Sequence, residues 1–119
     1  RVAQETLDAI EVTLRPGVTT GEIDAAARVV INRHGRGETL RHRTGYAIDI
    51  LWGPLGTAPG ATSFEPGGAA IVREGMVFHT PINLFERGQF GVGCSDTWLV
   101  TACGCEPLSG LPRDLTIVG

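Results

Sequence analysis

The 119-residue sequence lacks several features that would narrow its function at once. No apolar run is long enough to span a bilayer, so we expect no membrane partner. Basic residues are not in surplus, because the net charge is −3, and this argues against nucleic acid as a partner. Internal repeats and low-complexity segments are also missing. At this length, with 42% hydrophobic residues, we expect one domain over residues 1–119 with a small core.

Cysteine is scarce and present in an odd number: Cys94, Cys103 and Cys105. Disulfide-stapled secreted domains usually carry an even number, and no signal peptide is visible, so we expect a reducing, cytoplasmic location. The C-x-C spacing is not the C-x-x-C of redox or zinc sites, and no second Cys/His pair completes a tetrahedral set. We interpret the three cysteines as packing and turn residues.

Two amphipathic helices are predicted in the first third of the chain. Residues 2–14 place apolar side chains at helical spacing, and Pro16-Gly17 ends that helix. Thr19 and Glu22 have the spacing of a capping box, which predicts the start of a second helix that runs to about Arg33.

Strand patterns dominate the remainder. Residues 41–51 alternate as a strand, and residues 52–68 form a long loop rich in Gly and Pro. Residues 76–85 and 90–100 alternate around a turn at residues 86–88, which predicts a long hairpin. Residues 115–118 are predicted to add a short final strand. The order of elements indicates an α+β fold with two helices packed on an antiparallel sheet.

Four segments, in the right order, resemble motifs of the pita-bread superfamily, which includes prolidase, aminopeptidase P, methionine aminopeptidase and creatinase. They are VTLRPGVTTGEIDAAARVVINRHG, HRTGYAIDI, EGMVFHTPINLF and GVGCSDTWLVTACGCEPLSGLPRDL. The resemblance covers nearly the whole chain. It implies one half of a pita-bread fold, the C-terminal half of the catalytic domain.

The positions that bind metal in the family are altered in this sequence. The metal-dependent members hold two ions with two Asp, one His and two Glu, and the two Asp lie on a segment before the helix pair that we do not find here. The resemblance places the His position at Tyr46 and the two Glu positions at Pro81 and Ser95. A second family histidine falls near Gly53. These residues cannot replace the ligands of a divalent ion, so the resemblance implies no metal and no other cofactor.

A metal-free branch, resembling ectoine hydrolase and creatinase-like C–N hydrolases, has similar replacements. Its motifs correspond here to Gly45-Tyr46-Ala47-Ile48, to Phe78-His79 and to Ser95-Asp96-Thr97. The sequence departs from that branch too, at Pro81, Asn83 and Asp49.

His79 is the first candidate for catalysis. The strand alternation places it on the same face as Ser95 and Thr97, where an imidazole with a pKa near neutral pH could act as a general base. The alternative is a histidine hydrogen-bonded beneath the long loop. Tyr46 could donate its hydroxyl to an oxyanion, or it could be a core aromatic residue.

Asp96 is the third candidate, because it falls on the otherwise apolar face of its strand. It could orient His42 or a substrate cation, or it could be a structural acceptor for backbone N–H groups or an arginine. Four further residues are candidates for substrate binding: His42, Arg43, Asn83 and Ser95.

Three functions remain open. The first is a metal-free acid/base enzyme that hydrolyses a C–N bond of a small polar substrate. The second is a degenerate, non-hydrolytic relative, either a binding or assembly module or a repurposed biosynthetic enzyme such as a cyclase. The third, less favoured, is a fragment of an Xaa-Pro metallopeptidase. Because the family site lies between two half-domains, the missing half could come from residues upstream of Arg1, from a partner chain or from a homodimer mate. We expect a homodimer or a partner chain that supplies it.

Overall fold

Two helices cover one face of a five-stranded antiparallel sheet with strand order β2-β1-β3-β4-β5. The computed structural model describes residues 1–48, 62–114 and 116–118. The elements are α1 (Val2–Thr13), α2 (Thr20–Arg33), a short 3-10 helix (Gly37–Thr39), β1 (Gly45–Ala47), β2 (Ser63–Phe64), β3 (Val77–Glu86), β4 (Phe90–Val100) and β5 (Cys105–Pro107). The predicted α+β class and its helix-on-sheet arrangement are confirmed.

The second helix begins with the capping box that the sequence predicts. The Thr19 hydroxyl accepts from the Glu22 backbone N–H at 3.2 Å, and the Thr19 backbone N–H donates to the Glu22 carboxylate at 2.7 Å. Two N–H groups that the first turn would otherwise leave unpaired are thus satisfied. After the helix, Gly35 adopts φ +65°, the left-handed conformation that commonly ends a helix at glycine.

The long hairpin forms the centre of the sheet, and its register fixes which side chains meet. Ten cross-strand pairs run from Val77 opposite Leu99 to Glu86 opposite Phe90, and Gly88 has φ +75° in the turn. Alternate β3 residues are buried against the helices, so the remaining β3 side chains lie on the other face.

The core lies between the helices and this buried face. Its largest fully buried side chains include Trp98, Phe64, Phe78 and Leu7. Phe64 of β2 and Phe78 of β3 pack with ring centroids 4.6 Å apart, across the narrow strand β1 between them. Burying each such side chain contributes about 2–3 kcal/mol.

Three predicted boundaries differ in the structure. The first strand is shorter than predicted, with residues 41–44 outside it. Ser63–Phe64 forms a strand within the segment predicted as loop, because the Phe64 backbone pairs with Gly45. The predicted final strand is wrong for residues 116–118, and the edge strand is instead Cys105–Pro107, which pairs with the end of β4.

The predicted end of the first strand at residues 49–51, Asp49 and the position near Gly53 lie outside the described residues. Within the part of the chain that is described, no helix has the length and apolar character needed to cross a membrane.

Candidate functional site

The sheet face away from the helices carries a row of polar side chains from three adjacent strands. The register pairs Tyr46 of β1 with His79 of β3, and His79 with Thr97 of β4. Because cross-strand partners point to the same side of a sheet, the three side chains lie side by side. We call this row the site row.

His79 is held on both sides by its neighbours in the site row. Its Nδ1 lies 3.0 Å from the Thr97 hydroxyl, and its ring meets the edge of the Tyr46 ring at a centroid distance of 5.5 Å. Partial burial lowers the pKa of His79 below its ordinary value, and the negative charge of Asp96 opposes that shift. The neutral imidazole is therefore favoured near neutral pH.

Arg43 lies beside Tyr46, at the β1 end of the site row. Its guanidinium lies over the Tyr46 ring, 5.3 Å from the centroid, and its Nη1 donates to the Ser63 hydroxyl at 2.8 Å. A cation is thus fixed beside the tyrosine by stacking and by a hydrogen bond.

His42 precedes the site row and bonds to the backbone beside it. Its Nδ1–H donates to the Arg43 carbonyl at 2.6 Å. The Nε2 of this ring is buried and has no hydrogen-bond partner among the described residues. The structure does not bring His42 to Asp96.

The other predicted binding residues occupy the next positions along the hairpin. Pro81 lies opposite Ser95, one pair beyond the site row, and Asn83 lies opposite Gly93. Asn83 Oδ1 lies over Gly93 so closely that a Cβ at Gly93 would be 2.3 Å away. Ser95 is exposed, whereas Pro81 and Asn83 are half-buried.

Asp96 does not join the site row, because its side chain points to the helix-covered face. One carboxylate oxygen accepts from Arg113 Nε at 3.0 Å, and the other accepts from the Thr97 backbone N–H at 2.9 Å. Its side chain is only 5% exposed. These partners, an arginine and a backbone N–H, are those of the structural alternative considered for this residue.

The residues at the three aligned metal-ligand positions do meet on one face, but they do not fit a divalent ion. Tyr46 and Ser95 offer a phenol and a hydroxyl, and Pro81 has no side-chain donor. Among the described residues, no group of three His, Cys, Asp or Glu side chains is placed to hold a metal. Divalent sites in proteins use imidazole, carboxylate or thiolate ligands, so we derive no chemistry through a metal at this position.

Three residues of this region were not among the predicted site residues: Ser63, Thr97 and Arg113. The sequence allows Thr97 to be predicted as the partner of His79, because counting back from the hairpin turn places the two residues opposite each other. Ser63 lies in the segment predicted as loop, and Arg113 follows the last strand, so no strand pattern indicated either one.

Comparison with known proteins agrees with this architecture. Residues 1–102 match the profile of Metallopeptidase family M24. The chain belongs to family M24. The superfamily indicated by the four motifs is therefore confirmed, while membership of its metal-free branch stays a prediction.

Two curated relatives illustrate the range of names in family M24. The chain is 36% identical over 115 residues to the agropine synthesis cyclase of Rhizobium rhizogenes, covering 96% of this chain and 27% of that protein. It is 30% identical over 109 residues to the probable dipeptidase PepE of Mycobacterium bovis, covering 88% of this chain and 26% of that protein. The M24 chain thus spans little more than a quarter of the length of these relatives.

Solved structures of larger proteins contain the same fold. Dipeptidase PepE from Mycobacterium ulcerans superposes with a TM-score of 0.84 at 29% identity, covering 96% of this chain and 29% of that one. The prolidase from Pyrococcus horikoshii OT3 gives a TM-score of 0.84 at 26% identity, covering 97% of this chain and 31% of that one. The M24 chain therefore has the fold of one segment of these larger proteins.

Proposed function

We propose that this M24 chain carries the acid/base half of a metal-free active site that acts on a C–N bond of a small polar substrate. The observation that carries the proposal is the pairing of His79 with Thr97 inside the site row. Where M24 metallopeptidases would need a set of carboxylate and imidazole ligands, the site row offers an imidazole, a phenol and a hydroxyl.

His79 acts as the base. In the tautomer that a base needs, Nδ1–H donates to the Thr97 hydroxyl, 3.0 Å away, and Nε2 carries the lone pair. The lowered pKa of His79 keeps this lone pair available at neutral pH. Nε2 takes a proton from water, the resulting hydroxide attacks the carbon of the C–N bond, and the imidazolium returns the proton to the leaving nitrogen.

Tyr46 and Arg43 stabilise the charge that develops on the substrate. The Tyr46 ring lies against His79, so its hydroxyl donates to an atom bonded to the attacked carbon. Arg43 supplies a cation over the Tyr46 ring, which suits a substrate with a carboxylate or a similar anionic group. We also assign His42, Asn83 and Ser95 to the proposed substrate contacts; Asn83 lies on the same strand as His79, and Ser95 lies on the neighbouring strand β4.

A second candidate function is ring closure instead of hydrolysis. The relative named agropine synthesis cyclase is 36% identical over nearly the whole chain, and this supports it. The same base would deprotonate a nucleophile within the substrate in place of water. The two functions differ in the fate of water, which is consumed by hydrolysis and released by a condensing ring closure.

The remainder of the site comes from a second polypeptide segment in this proposal. The chain spans 26–31% of the length of the relatives described above, and the M24 members contain substantially more chain. Residues upstream of Arg1, a homodimer mate or a partner chain could supply that segment. The tip of the hairpin supports such association, because Phe85, Phe90 and Val92 are about half exposed there.

Three free cysteines agree with the expected cytoplasmic location.

The test is turnover of a panel of cyclic amidines, their open-chain products and Xaa-Pro dipeptides, with protein treated with a chelator. We expect His79→Gln to lower kcat/KM by about 100- to 10,000-fold, the usual contribution of a positioned acid/base group. His34→Gln is the matched control, because His34 is a histidine at the end of α2 that bonds to Glu5 on the helix side.

Isotope-labelled water separates the two candidate functions. A product that contains the oxygen label indicates hydrolysis. A product that has lost the mass of one water molecule and carries no label indicates ring closure. A rate that depends on added divalent metal, or that is equal for wild type and His79→Gln, would contradict the proposal. No turnover by wild type on any member of the panel would favour a non-catalytic binding or assembly module.

A further inference from the structure

Arg113 makes three ion pairs and a ring contact on the helix-covered face, and the proposed chemistry does not use it. Its guanidinium donates to Asp96 at 3.0 Å, to Asp8 at 2.9 Å and to Glu11 at 2.9 Å. It also lies over the Trp98 ring, 4.8 Å from the centroid. Four contacts hold it in one place, and its side chain is only 20% exposed.

Through Asp96, Arg113 is connected by hydrogen bonds to the site row on the opposite face of the sheet. Arg113 binds one oxygen of the buried carboxylate, and the other oxygen accepts from the Thr97 backbone N–H at 2.9 Å. Successive residues of a strand point to opposite faces, so Thr97 presents its hydroxyl on the other side. There it lies 3.0 Å from His79 Nδ1. Three consecutive hydrogen bonds therefore connect a helix-side arginine to the imidazole.

The geometry points to Arg113 as a positioning residue for His79, acting through Asp96 and Thr97 from the opposite face of the sheet. This inference rests on the proposed role of His79. Its basis is the cost of a buried, unpaired charge: without Arg113 the Asp96 carboxylate would keep its charge but lose the partner that fixes its position. This change loosens its bond to Thr97 and thereby the hydroxyl that fixes the His79 tautomer.

The same connection has an electrostatic signature. Among the residues that the structure describes, the groups that face His79 are Tyr46 from β1 and Thr97 from β4, and Arg43 lies behind the tyrosine. Asp96 acts on the ring through its charge and raises the pKa of His79. Removing Arg113 exposes more of that charge to His79, so the pKa of His79 rises, whereas Asp96→Asn removes the charge and the pKa falls.

The experiment follows the two ring nitrogens of His79 by NMR through a pH titration, which requires no substrate. We expect the titration midpoint of His79 to rise in Arg113→Ala and to fall in Asp96→Asn. Arg113→Lys keeps the charge, so its midpoint should lie closer to that of wild type. The matched controls are Asp8→Asn and Glu11→Gln. Each removes another ion pair of Arg113 and leaves the Asp96 contact in place, so both should titrate as wild type.

Two results would overturn the inference. One is a folded Arg113→Ala variant in which His79 titrates as in wild type with the same tautomer. The other is a Glu11→Gln variant in which the titration midpoint of His79 moves as far as in Arg113→Ala. That result would mean that Arg113 only holds the segment after β5 against α1. If Arg113→Ala fails to fold, Arg113→Lys and Asp96→Asn decide the question, because both retain side-chain size and polarity.

Activity separates this inference from the proposed function. Displaced His79 titrations together with a His79→Gln variant as active as wild type would support the connection and refute the base. A strong effect of His79→Gln together with unchanged titration in every Arg113 and Asp96 variant would support the base and refute the connection.

Discussion

Gly45→Ala tests how tightly β1, the strand that carries Tyr46, is packed into the core. A Cβ at Gly45 would lie 2.5 Å from Phe64 Cδ2, and 3.0 Å from both Phe64 Cε2 and Thr80 Cγ2. Phe64 cannot turn aside, because it is fully buried and its ring packs on Phe78 at 4.6 Å. Neither can the threonine, whose hydroxyl accepts from the Trp98 indole N–H at 2.8 Å.

We expect the substitution to lower the free energy of unfolding by about 1–3 kcal/mol, the usual cost of forcing extra atoms into a packed core. The assay is urea denaturation followed by tryptophan fluorescence, since Trp98 lies in the same core. Gly104→Ala is the matched control, because a Cβ there meets nothing within 4 Å and its φ is not positive. Equal stability of the two variants would refute this account of β1.

Three further outcomes are expected. Asp24→Ala should lower the free energy of unfolding by about 3 kcal/mol in urea melts. It removes a buried carboxylate that binds Arg28 at 2.6 Å and accepts from the Thr44 hydroxyl at 2.8 Å, which leaves that buried hydroxyl only the Phe64 carbonyl at 3.5 Å. A loss below about 1 kcal/mol would contradict this. Iodoacetamide at mildly alkaline pH should alkylate the exposed Cys103 well before Cys105, because burial raises the pKa of the Cys105 thiol to about 11. Mass spectrometry that shows the reverse order would be inconsistent with the structure. Thr97→Val should reduce turnover while changing the free energy of unfolding by less than about 1.5 kcal/mol, and unchanged turnover would remove the hydroxyl from the mechanism.

The hairpin could be predicted because its signals are local. Strict alternation on both strands and a glycine in the turn fix the faces and the register together. The same holds for α2, where Thr19 and Glu22 satisfy each other within one turn. Once the register is known, the pairing of His79 with Thr97 follows by counting.

The edges of the sheet could not be predicted, because non-local pairing forms them. β2 has only two residues and exists because Phe64 fits against Gly45. β5 contains a proline and follows a turn, so its propensity opposes a strand, yet it pairs with the end of β4 at the sheet edge. Tertiary contacts decided both cases.

The polar network showed a similar division between local and distant signals. The alternation correctly placed Asp96 on the apolar face of β4, where a buried carboxylate needs a partner. That partner is Arg113, which lies 17 residues farther along the chain. No sequence spacing connects an arginine after the last strand to a carboxylate in the middle of β4, so only the fold identifies the pair.

The most direct test of the central claim is the pH dependence of kcat/KM for a substrate found in the panel, measured with chelator present. We predict that kcat/KM rises with pH through a midpoint below the ordinary histidine value and is then constant, because the base must be neutral and burial lowers the pKa of His79. The kinetic midpoint should equal the one that NMR gives for the His79 ring. A profile that keeps its midpoint and height in His79→Gln, or that appears only with added divalent metal, would contradict the account.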